Sequence, residues 1–331
     1  MNLKTLAFSL LTVLVACGQP TTGPTPQAAT RKVASSRPAP PVGSGHAVLK
    51  SLALLTNQVV AWDYNHDGQT NVPASLTDVT AIAAGGYHNL ALKTDGTVAA
   101  WGDNQFSQIT LPTGLTDVTA ISAGRFHSLA LKTDGTVVAW GDNRFGQITL
   151  PTGLTDVMAI SAGGFHNVAL QTDGTVVAWG DDLYGQSSGP DGTTDVKAIA
   201  VGGYHSLALK NDGTVVAWGL NDFGQSSVPA DLTDVTAISA GSYHSLALKN
   251  DGTVVAWGLD DFGQGSVPAG LTGVTAISAG FSHNLALKAD GTVVTWGDNN
   301  QGQSSVPVGL TNVTAIAAGG YHSLALHTIL P

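Results

Sequence analysis

A tryptophan recurs every 39 residues along the chain, and this spacing constrains the fold more than any other feature. The seven tryptophans are Trp62, Trp101, Trp140, Trp179, Trp218, Trp257 and Trp296. Self-similarity at a fixed period of 20 to 50 residues is typical of repeat architectures, in which one unit cannot bury its own faces and the copies must stack. The 331-residue chain is therefore predicted to hold one repeat domain.

Each copy contains three short segments with the composition of β-strands. In residues 79–117 they are residues 79–82, 89–92 and 97–101, which are β-branched or apolar and bounded by Gly or Asx clusters. Asp95-Gly96 separates the second segment from the third and supplies the positive φ that a tight hairpin needs. Seven copies of this kind predict an all-β, seven-bladed propeller.

The first and last copies are incomplete in complementary ways. The chain carries a Trp segment at residues 59–62 without a preceding V-T-A-I segment, and it ends with residues 313–326 without a following Trp segment. We expect these ends to pair and to close the ring, because closure hides two sheet edges. The segment Ser51-Leu52-Ala53-Leu54 is then surplus, and the sequence does not indicate where it lies.

The repeated phrase G-x-x-H-S/N-L/V-A-L-x-x-D-G-T-V-x-x-W-G-x-x-x-x-x-Q resembles the repeat of the regulator of chromosome condensation family. The resemblance covers about residues 46–331, and the 39-residue length is most similar to secreted propellers of the β-lactamase inhibitor protein II type. It implies a seven-bladed propeller that binds a protein through aromatic-bearing loops on one face. Family members that act as exchange factors or chromatin binders use inserted loops and basic tails. No repeat here exceeds 39 residues, so the resemblance does not extend to such inserted loops.

Residues 1–17 are predicted to be a lipoprotein-type signal peptide. Lys4 precedes an apolar run from Leu6 to Ala16, and Leu14-Val15-Ala16-Cys17 resembles the lipobox of bacterial lipoproteins. Cys17 is the only cysteine in the chain, and we expect it to be lipidated. The alternative is an ordinary secretory signal with an incidental cysteine. Gln19 resembles the residue found in lipoproteins sent to an outer membrane, which predicts an exported protein of the cell envelope or surface.

Residues 18–45 are rich in Pro, Thr, Ser and Ala and are predicted to be a flexible tether ahead of the propeller at 46–331. All 23 acidic residues of the chain are aspartates, and all of them lie in the propeller part. Nine of the 13 basic residues lie there too, so this part carries a net charge of about −14. A field of this sign repels phosphate backbones, so the composition argues against nucleic acid as a partner.

Seven histidines recur in the repeat and are the obvious candidates for catalysis or metal binding. They are His88, His127, His166, His205, His244, His283 and His322. Their neighbours are nearly the same in every copy, whereas catalysis needs one asymmetric constellation. We therefore expect a structural role, in which each histidine bridges backbone groups of the preceding Gly turn, and we expect neither a metal nor a cofactor.

Two acidic features have a similar structural interpretation. Residues 63–68 resemble the opening of a calcium loop, but position 12 is Ala74 where such loops need a bidentate Glu, so the alternative is the repeat's own turn. The pairs Asp181-Asp182 and Asp260-Asp261 lie in the same connectors, where solvated turn formers are more common than acid/base pairs.

Outside the tryptophans, aromatic residues concentrate at two positions of the repeat. The inner aromatic ring directly precedes the histidines and comprises Tyr87, Phe126, Phe165, Tyr204, Tyr243 and Tyr321, with Phe281 displaced by one position. The outer aromatic set lies five residues after the tryptophans and comprises Phe106, Phe145, Tyr184, Phe223 and Phe262, with Tyr64 nearby in the first copy.

Strand direction predicts that both sets share one face, because an up-down-up path returns the loop after each Trp to the side of the loop before each His. Aromatic side chains beside Asn and Asp groups are typical of protein-binding surfaces. The sequence thus predicts a monomeric, non-enzymatic module that binds another protein. The alternatives are a carbohydrate-binding propeller, a lyase or hydrolase with a site at the channel mouth, and rings that merely pack between blades.

Overall fold

The computed structural model describes residues 56–189 and 193–329. In these ranges the regular structure consists of 21 strands that form seven three-stranded antiparallel sheets. The sheets surround a central channel of about 300 Å³ lined by Ile, Ala, Ser and Thr side chains. This confirms the predicted all-β, seven-bladed propeller. No helix in the described ranges is long and apolar enough to cross a membrane.

Each blade has an inner strand at the channel, a middle strand and an outer strand. The inner strands are β2 (Val79–Ala84), β5 (Val118–Ala123), β8 (Val157–Ala162), β11 (Val196–Val201), β14 (Val235–Ala240), β17 (Val274–Ala279) and β20 (Val313–Ala318). The middle strands are β3 (His88–Lys93), β6 (His127–Lys132), β9 (His166–Gln171), β12 (His205–Lys210), β15 (His244–Lys249), β18 (His283–Lys288) and β21 (His322–Ile329). The outer strands are β4 (Val98–Gly102), β7 (Val137–Gly141), β10 (Val176–Gly180), β13 (Val215–Gly219), β16 (Val254–Gly258), β19 (Val293–Gly297) and β1 (Thr56–Asp63).

The hydrophobic core lies between neighbouring blades. Leu90 and Leu92 of the first blade, for example, pack with Val118 and Trp140 of the second blade. Every Trp is buried in such a cluster, and burial of an aromatic side chain of this size stabilises the fold by a few kcal/mol. Because each cluster draws on two blades, the stability of one blade depends on both of its neighbours.

The two chain ends form one blade, as predicted. Strand β1 pairs antiparallel with β21, with Val59 opposite Leu326 and Trp62 opposite Ser323, and β21 pairs with β20. Closure therefore leaves no gap in the ring. Residues 51–54, the signal at 1–17 with Cys17 and the tether at 18–45 lie outside the described residues.

The seven repeated histidines form a closed belt of hydrogen bonds around the ring. Each imidazole Nε2 lies 2.6 to 3.0 Å from a Ser or Asn side-chain oxygen of the next blade. The pairs are His88–Ser128, His127–Asn167, His166–Ser206, His205–Ser245, His244–Asn284, His283–Ser323 and His322–Asn89. The last pair joins the seventh blade to the first.

The expectation that each histidine bridges its own Gly turn is wrong. Gly85 N–H already donates to the His88 carbonyl oxygen, so the turn is satisfied by backbone groups and Nε2 is free to reach the next blade. Complete burial lowers the pKa of His88 to about 3, and the other six are lowered for the same main reason. The belt is therefore neutral, and its role is structural.

A second closed ring, made of backbone groups, surrounds the channel mouth above the histidines. The N–H of Gly86 donates to the carbonyl oxygen of Gly124, and similar bonds continue around to Gly320, which donates to Gly85; at the fifth blade the acceptor shifts by one residue, from Gly280 to Phe281. A Cβ at Gly85 would lie 2.5 Å from the Gly124 oxygen, which explains why this position is Gly in every copy. The loops at this mouth are thus fixed to one another.

Candidate functional site

The structure brings the inner aromatic ring and the outer aromatic set together on one face, which we call the aromatic face. The Phe106 ring lies 5.2 Å from that of Phe126, and the Phe223 ring lies 5.3 Å from that of Tyr243. Four outer side chains contact the aromatic residue that precedes the histidine in the following blade; they are Phe106, Phe145, Tyr184 and Phe223. This is the arrangement that strand direction predicts.

The inner aromatic ring is half-buried and packs against itself. Tyr204 stacks on Tyr243 with centroids 5.2 Å apart, and Tyr87 stacks on Phe126 at 5.4 Å. Burial and the hydrogen bond with Tyr204 raise the pKa of Tyr243 to about 12, so its hydroxyl stays protonated. The packing alternative from the sequence applies to this ring, which forms the floor of the aromatic face.

The outer aromatic set is the exposed part of the face. Phe145, Tyr184, Phe223 and Phe262 are 44 to 51% exposed, which is unusual for side chains of this size. Phe106 is less exposed because the Arg144 guanidinium carbon lies 4.4 Å from its ring centroid. These four rings are large apolar side chains that the fold leaves open to solvent.

Buried glutamines fix the backbone beneath the outer set. The N–H of Phe223 donates to Oε1 of Gln225, and Phe106, Phe145, Tyr184 and Phe262 are held in the same way by the glutamine two residues later. The glutamine carbonyl oxygen in turn accepts from a Trp indole N–H of the next blade, as Gln225 does from Trp257. The exposed rings are thus presented on loops that are anchored to the core.

The acidic residues of these loops shape the turns. Asp182 accepts hydrogen bonds from the N–H groups of Ser187 and Ser188, and Asp260 accepts from Gly265. Asn65 fills the same place in the first copy, where its Oδ1 accepts from Thr70 N–H. The segment at 63–68 therefore has the geometry of the repeat's own turn.

Asp63 departs from the repeat at the closing blade. It follows Trp62, whereas the other six tryptophans are followed by Gly, and it adopts a φ of 89°. Burial raises the pKa of its carboxyl group to about 7. Nearby, the Tyr64 ring lies 6.0 Å from Tyr321 and extends the floor of the aromatic face to this blade.

Two residues break the symmetry at the channel mouth. The position two residues before the histidine is Gly in four blades and the small Ser242 in the fifth, but it is Arg125 in the second and Phe281 in the sixth. The Phe281 ring lies above the mouth, 5.4 Å from that of Tyr321, and Ser282 stands where other copies have the aromatic residue. The displacement of Phe281 therefore moves its ring inward.

The aromatic face is acidic around a cationic centre. Ten aspartates lie in the loops that follow the tryptophans: Asp63, Asp67, Asp103, Asp142, Asp181, Asp182, Asp222, Asp260, Asp261 and Asp298. Arg125 and Arg144 are the two Lys or Arg residues in the described loops of this face, because the six described lysines lie at the opposite ends of their strands. The face thus attracts cationic surfaces at a distance.

Comparison with protein families identifies the repeat. The family model described as Regulator of chromosome condensation (RCC1) repeat matches residues 79–108, 118–147, 158–186, 196–225, 235–264 and 274–303, just over half of the chain. The chain belongs to the RCC1 repeat family. No curated protein sequence gives a match.

Solved structures of RCC1-type propellers share the fold. Prp20p from Saccharomyces cerevisiae superposes with a TM-score of 0.71 at 20% identity, covering 84% of this chain and 93% of Prp20p. Yeast RCC1 (Prp20) in its complex with Kap60 superposes with a TM-score of 0.73 at 20% identity, covering 92% of this chain and 97% of the yeast protein. The ectodomain of the Arabidopsis thaliana receptor kinase ACR4 superposes with a TM-score of 0.60 at 22% identity, covering 72% of this chain and 90% of the ectodomain.

Sequence reasoning on this RCC1-repeat propeller missed three contributors to the site. The glutamines recur in every copy as the last letter of the motif, which was the signal for a structural role. Arg125 was detectable as a charge at a Gly position. Leu183, which is 75% exposed beside Tyr184, had no signal because it occurs in one copy only.

Proposed function

We propose that this RCC1-repeat propeller is a non-catalytic module that binds another protein on the aromatic face. The observation that carries the proposal is the set of four exposed rings, Phe145, Tyr184, Phe223 and Phe262, on loops fixed by buried glutamines. Propellers of this family are commonly interaction modules. Prp20p is described as binding Gsp1p and histones, and yeast RCC1 as bound to Kap60.

Rigid presentation is what makes these rings effective anchors. Phe and Tyr have two χ angles, so they supply large contact area at a small entropic cost, and a fixed backbone reduces that cost further. Anchors of this type commonly contribute more than 1 kcal/mol each to a protein complex. A partner that covers several of them would gain most of its binding energy from the outer set.

The geometry of the channel mouth supports a role without catalysis. The histidines, which are the usual general bases, lie beneath the mouth and are fully buried and neutral. Among the described residues, Arg125 and Ser242 are the polar side chains at the mouth itself. They do not form a nucleophile, base and orienting group.

We further propose that the module is held at the envelope surface by lipidation of Cys17, as a lipoprotein of the outer membrane where the cell has one. Residues 18–45 would then act as a flexible tether with a root-mean-square span of about 30 Å. Such a span lets the aromatic face meet a partner in the same membrane or in the surrounding fluid.

The proposal is tested by capture. The immobilised full chain is exposed to envelope and extracellular fractions, in parallel with the variant Phe145→Ala, Tyr184→Ala, Phe223→Ala, Phe262→Ala. We expect a protein that the wild type retains and the variant loses. Replacing Asp212 and Asp251 by Asn in the hairpin turns of the opposite face is the matched control and leaves capture intact.

Two other outcomes contradict the proposal. Binding on a glycan array that depends on the same four rings, with no captured protein, indicates a carbohydrate-binding propeller. Capture that the four-ring variant retains places the binding surface elsewhere on the propeller.

A further inference from the structure

Arg125 lies at the centre of the aromatic face and spans the channel mouth. Its backbone belongs to the loop between β5 and β6. Its guanidinium carbon lies 5.3 Å from the ring centroid of Phe126 and 5.5 Å from the ring centroids of Phe165 and Phe281. Phe281 belongs to the loop between β17 and β18, on another blade. Three rings from three blades therefore hold the guanidinium over the channel.

The described residues provide no carboxylate for this cation. Arg144, the other arginine of the face, forms a bidentate pair with Asp142 at 2.9 Å. Arg125 has no ion pair within residues 56–189 and 193–329, and its Nε is buried without a hydrogen-bond partner there. A buried donor of a charged group that lacks a partner is costly, and the guanidinium geometry matches a carboxylate in particular.

The mouth leaves room beside the guanidinium. Gly86, Gly164, Gly203 and Gly320 line a cavity of about 80 Å³ together with Ser242 and Phe281. Since roughly 10–15 Å³ of such space holds one water molecule, a carboxylate group fits. The seven N–H groups around the mouth donate to carbonyl oxygens of neighbouring blades, which leaves the Arg125 guanidinium as the strong donor at this point.

We infer that Arg125 is a recognition point for an acidic side chain of the partner, which enters the channel mouth as an Asp or Glu. This inference rests on the proposed function and specifies the chemistry of the partner. The acidic loops around the face favour basic residues on the partner's periphery, while Arg125 at the centre requires a carboxylate. The complementary surface is thus an acidic residue surrounded by Lys or Arg and apolar groups.

The test uses a defined probe, the capped peptide acetyl-Lys-Gly-Asp-Gly-Lys-amide, and its Asn analogue. The full chain has four arginines, so its spectrum holds four side-chain Nε–H signals, and R125Q identifies the relevant one. We expect the Asp peptide to shift the Arg125 signal saturably, with the Asn peptide binding at least tenfold more weakly. The comparison of the two peptides on the wild type needs no folded variant.

R144Q is the matched control because it removes the same charge from the same face but from an arginine that is already paired. It should retain the response to the Asp peptide, whereas R125Q should lose it. The inference is overturned by equal binding of the two peptides, by binding that R125Q retains, or by the absence of any saturable shift. An acetate response as strong as the peptide response also overturns it, since that result marks a site for small anions.

Failure of this inference is distinct from failure of the proposed function. If the Asp peptide does not bind but the four-ring variant loses the captured protein, the aromatic face binds a protein without recognising an acidic side chain at Arg125. If the peptide binds through Arg125 but capture is independent of the four rings, the recognition point stands and the function proposed for the outer set is wrong.

Discussion

Acidification should unfold this propeller at an unusually mild pH, because the histidine belt must stay neutral. Burial lowers the pKa of His88 to about 3 and that of His127 to about 4, with the other five in the same range, from an ordinary value of 6.5. The unfolded chain therefore binds more protons than the folded one below pH 6.5. Stability is complete above about pH 7 and is lost as the pH falls through 6.5 toward these folded-state values.

The magnitude follows from the number of histidines. One such group costs about 1.4 kcal/mol at pH 5.5, one unit below its unfolded pKa. Seven groups cost about 10 kcal/mol, which is comparable to the whole stability of an ordinary domain. We expect the acid transition between about pH 6 and pH 5.

The turn aspartates act in a different window. Hydrogen bonds from Thr97 lower the pKa of Asp95, and Asp134, Asp173, Asp212, Asp251 and Asp290 are lowered in the same way. Their contribution is present above the ordinary Asp value and is lost only below about pH 4. Of the groups with shifted pKa values, only Asp63 also titrates between pH 5 and 8; its raised pKa favours the folded state as the pH falls and offsets a minor part of the histidine effect.

The assay is urea unfolding followed by tryptophan fluorescence at pH 8, 7, 6 and 5.5. In His205→Gln an amide N–H can still donate to Ser245 but does not titrate, so the loss of unfolding free energy between pH 8 and 5.5 should fall by about 1.4 kcal/mol. His66→Gln is the control, since the His66 side chain is exposed and pairs with Asp67. A stability that is unchanged from pH 8 to 5.5 would refute the neutral belt.

Three further predictions concern the ends of the chain and the closing blade. Cys17→Ala should release the protein from membranes; a variant that stays in the washed membrane pellet contradicts anchoring at this cysteine. Deleting residues 46–62 removes most of β1 and exposes the edge of β21, so the melting temperature should fall sharply and the product should associate; an equally stable monomer by light scattering contradicts the closure. Asp63→Gly relieves a positive φ. It also removes a carboxyl group whose pKa is raised by burial, and the free-energy cost of ionising this group in the folded protein grows as the pH rises toward 7. Urea unfolding should show a gain of at least about 1 kcal/mol from the relieved φ, and the gain should be larger at pH 8 than at pH 6.5 because the penalty of the ionised carboxyl group is then removed in full. No gain at either pH contradicts the cost ascribed to this φ.

The repeat makes the fold predictable from the sequence, whereas the positions that depart from the repeat acquire their meaning only in the assembled ring. Strand positions, ring closure and the shared face of both aromatic sets follow from residues present in nearly every copy. The partner of each histidine does not, because His88 bonds to Ser128 some 40 residues later, across a contact that only the assembled ring creates. Likewise, Arg125 and Phe281 look like single exceptions in the sequence, and their contact at 5.5 Å depends on the curvature that brings two distant blades to one channel mouth.

The affinity of the captured partner tests whether the outer aromatic set binds a protein. Isothermal titration calorimetry would compare the wild type with Phe223→Ala plus Phe262→Ala, and with Asp212→Asn plus Asp251→Asn. We expect the aromatic double variant to raise the Kd by about 30-fold or more, from 1 to 3 kcal/mol per anchor. Its melting temperature should stay within a few degrees of the wild type, because exposed loop residues contribute within about 0.5 kcal/mol to folding. An unchanged Kd with a lowered melting temperature would contradict binding by the outer aromatic set and would show that these rings serve packing.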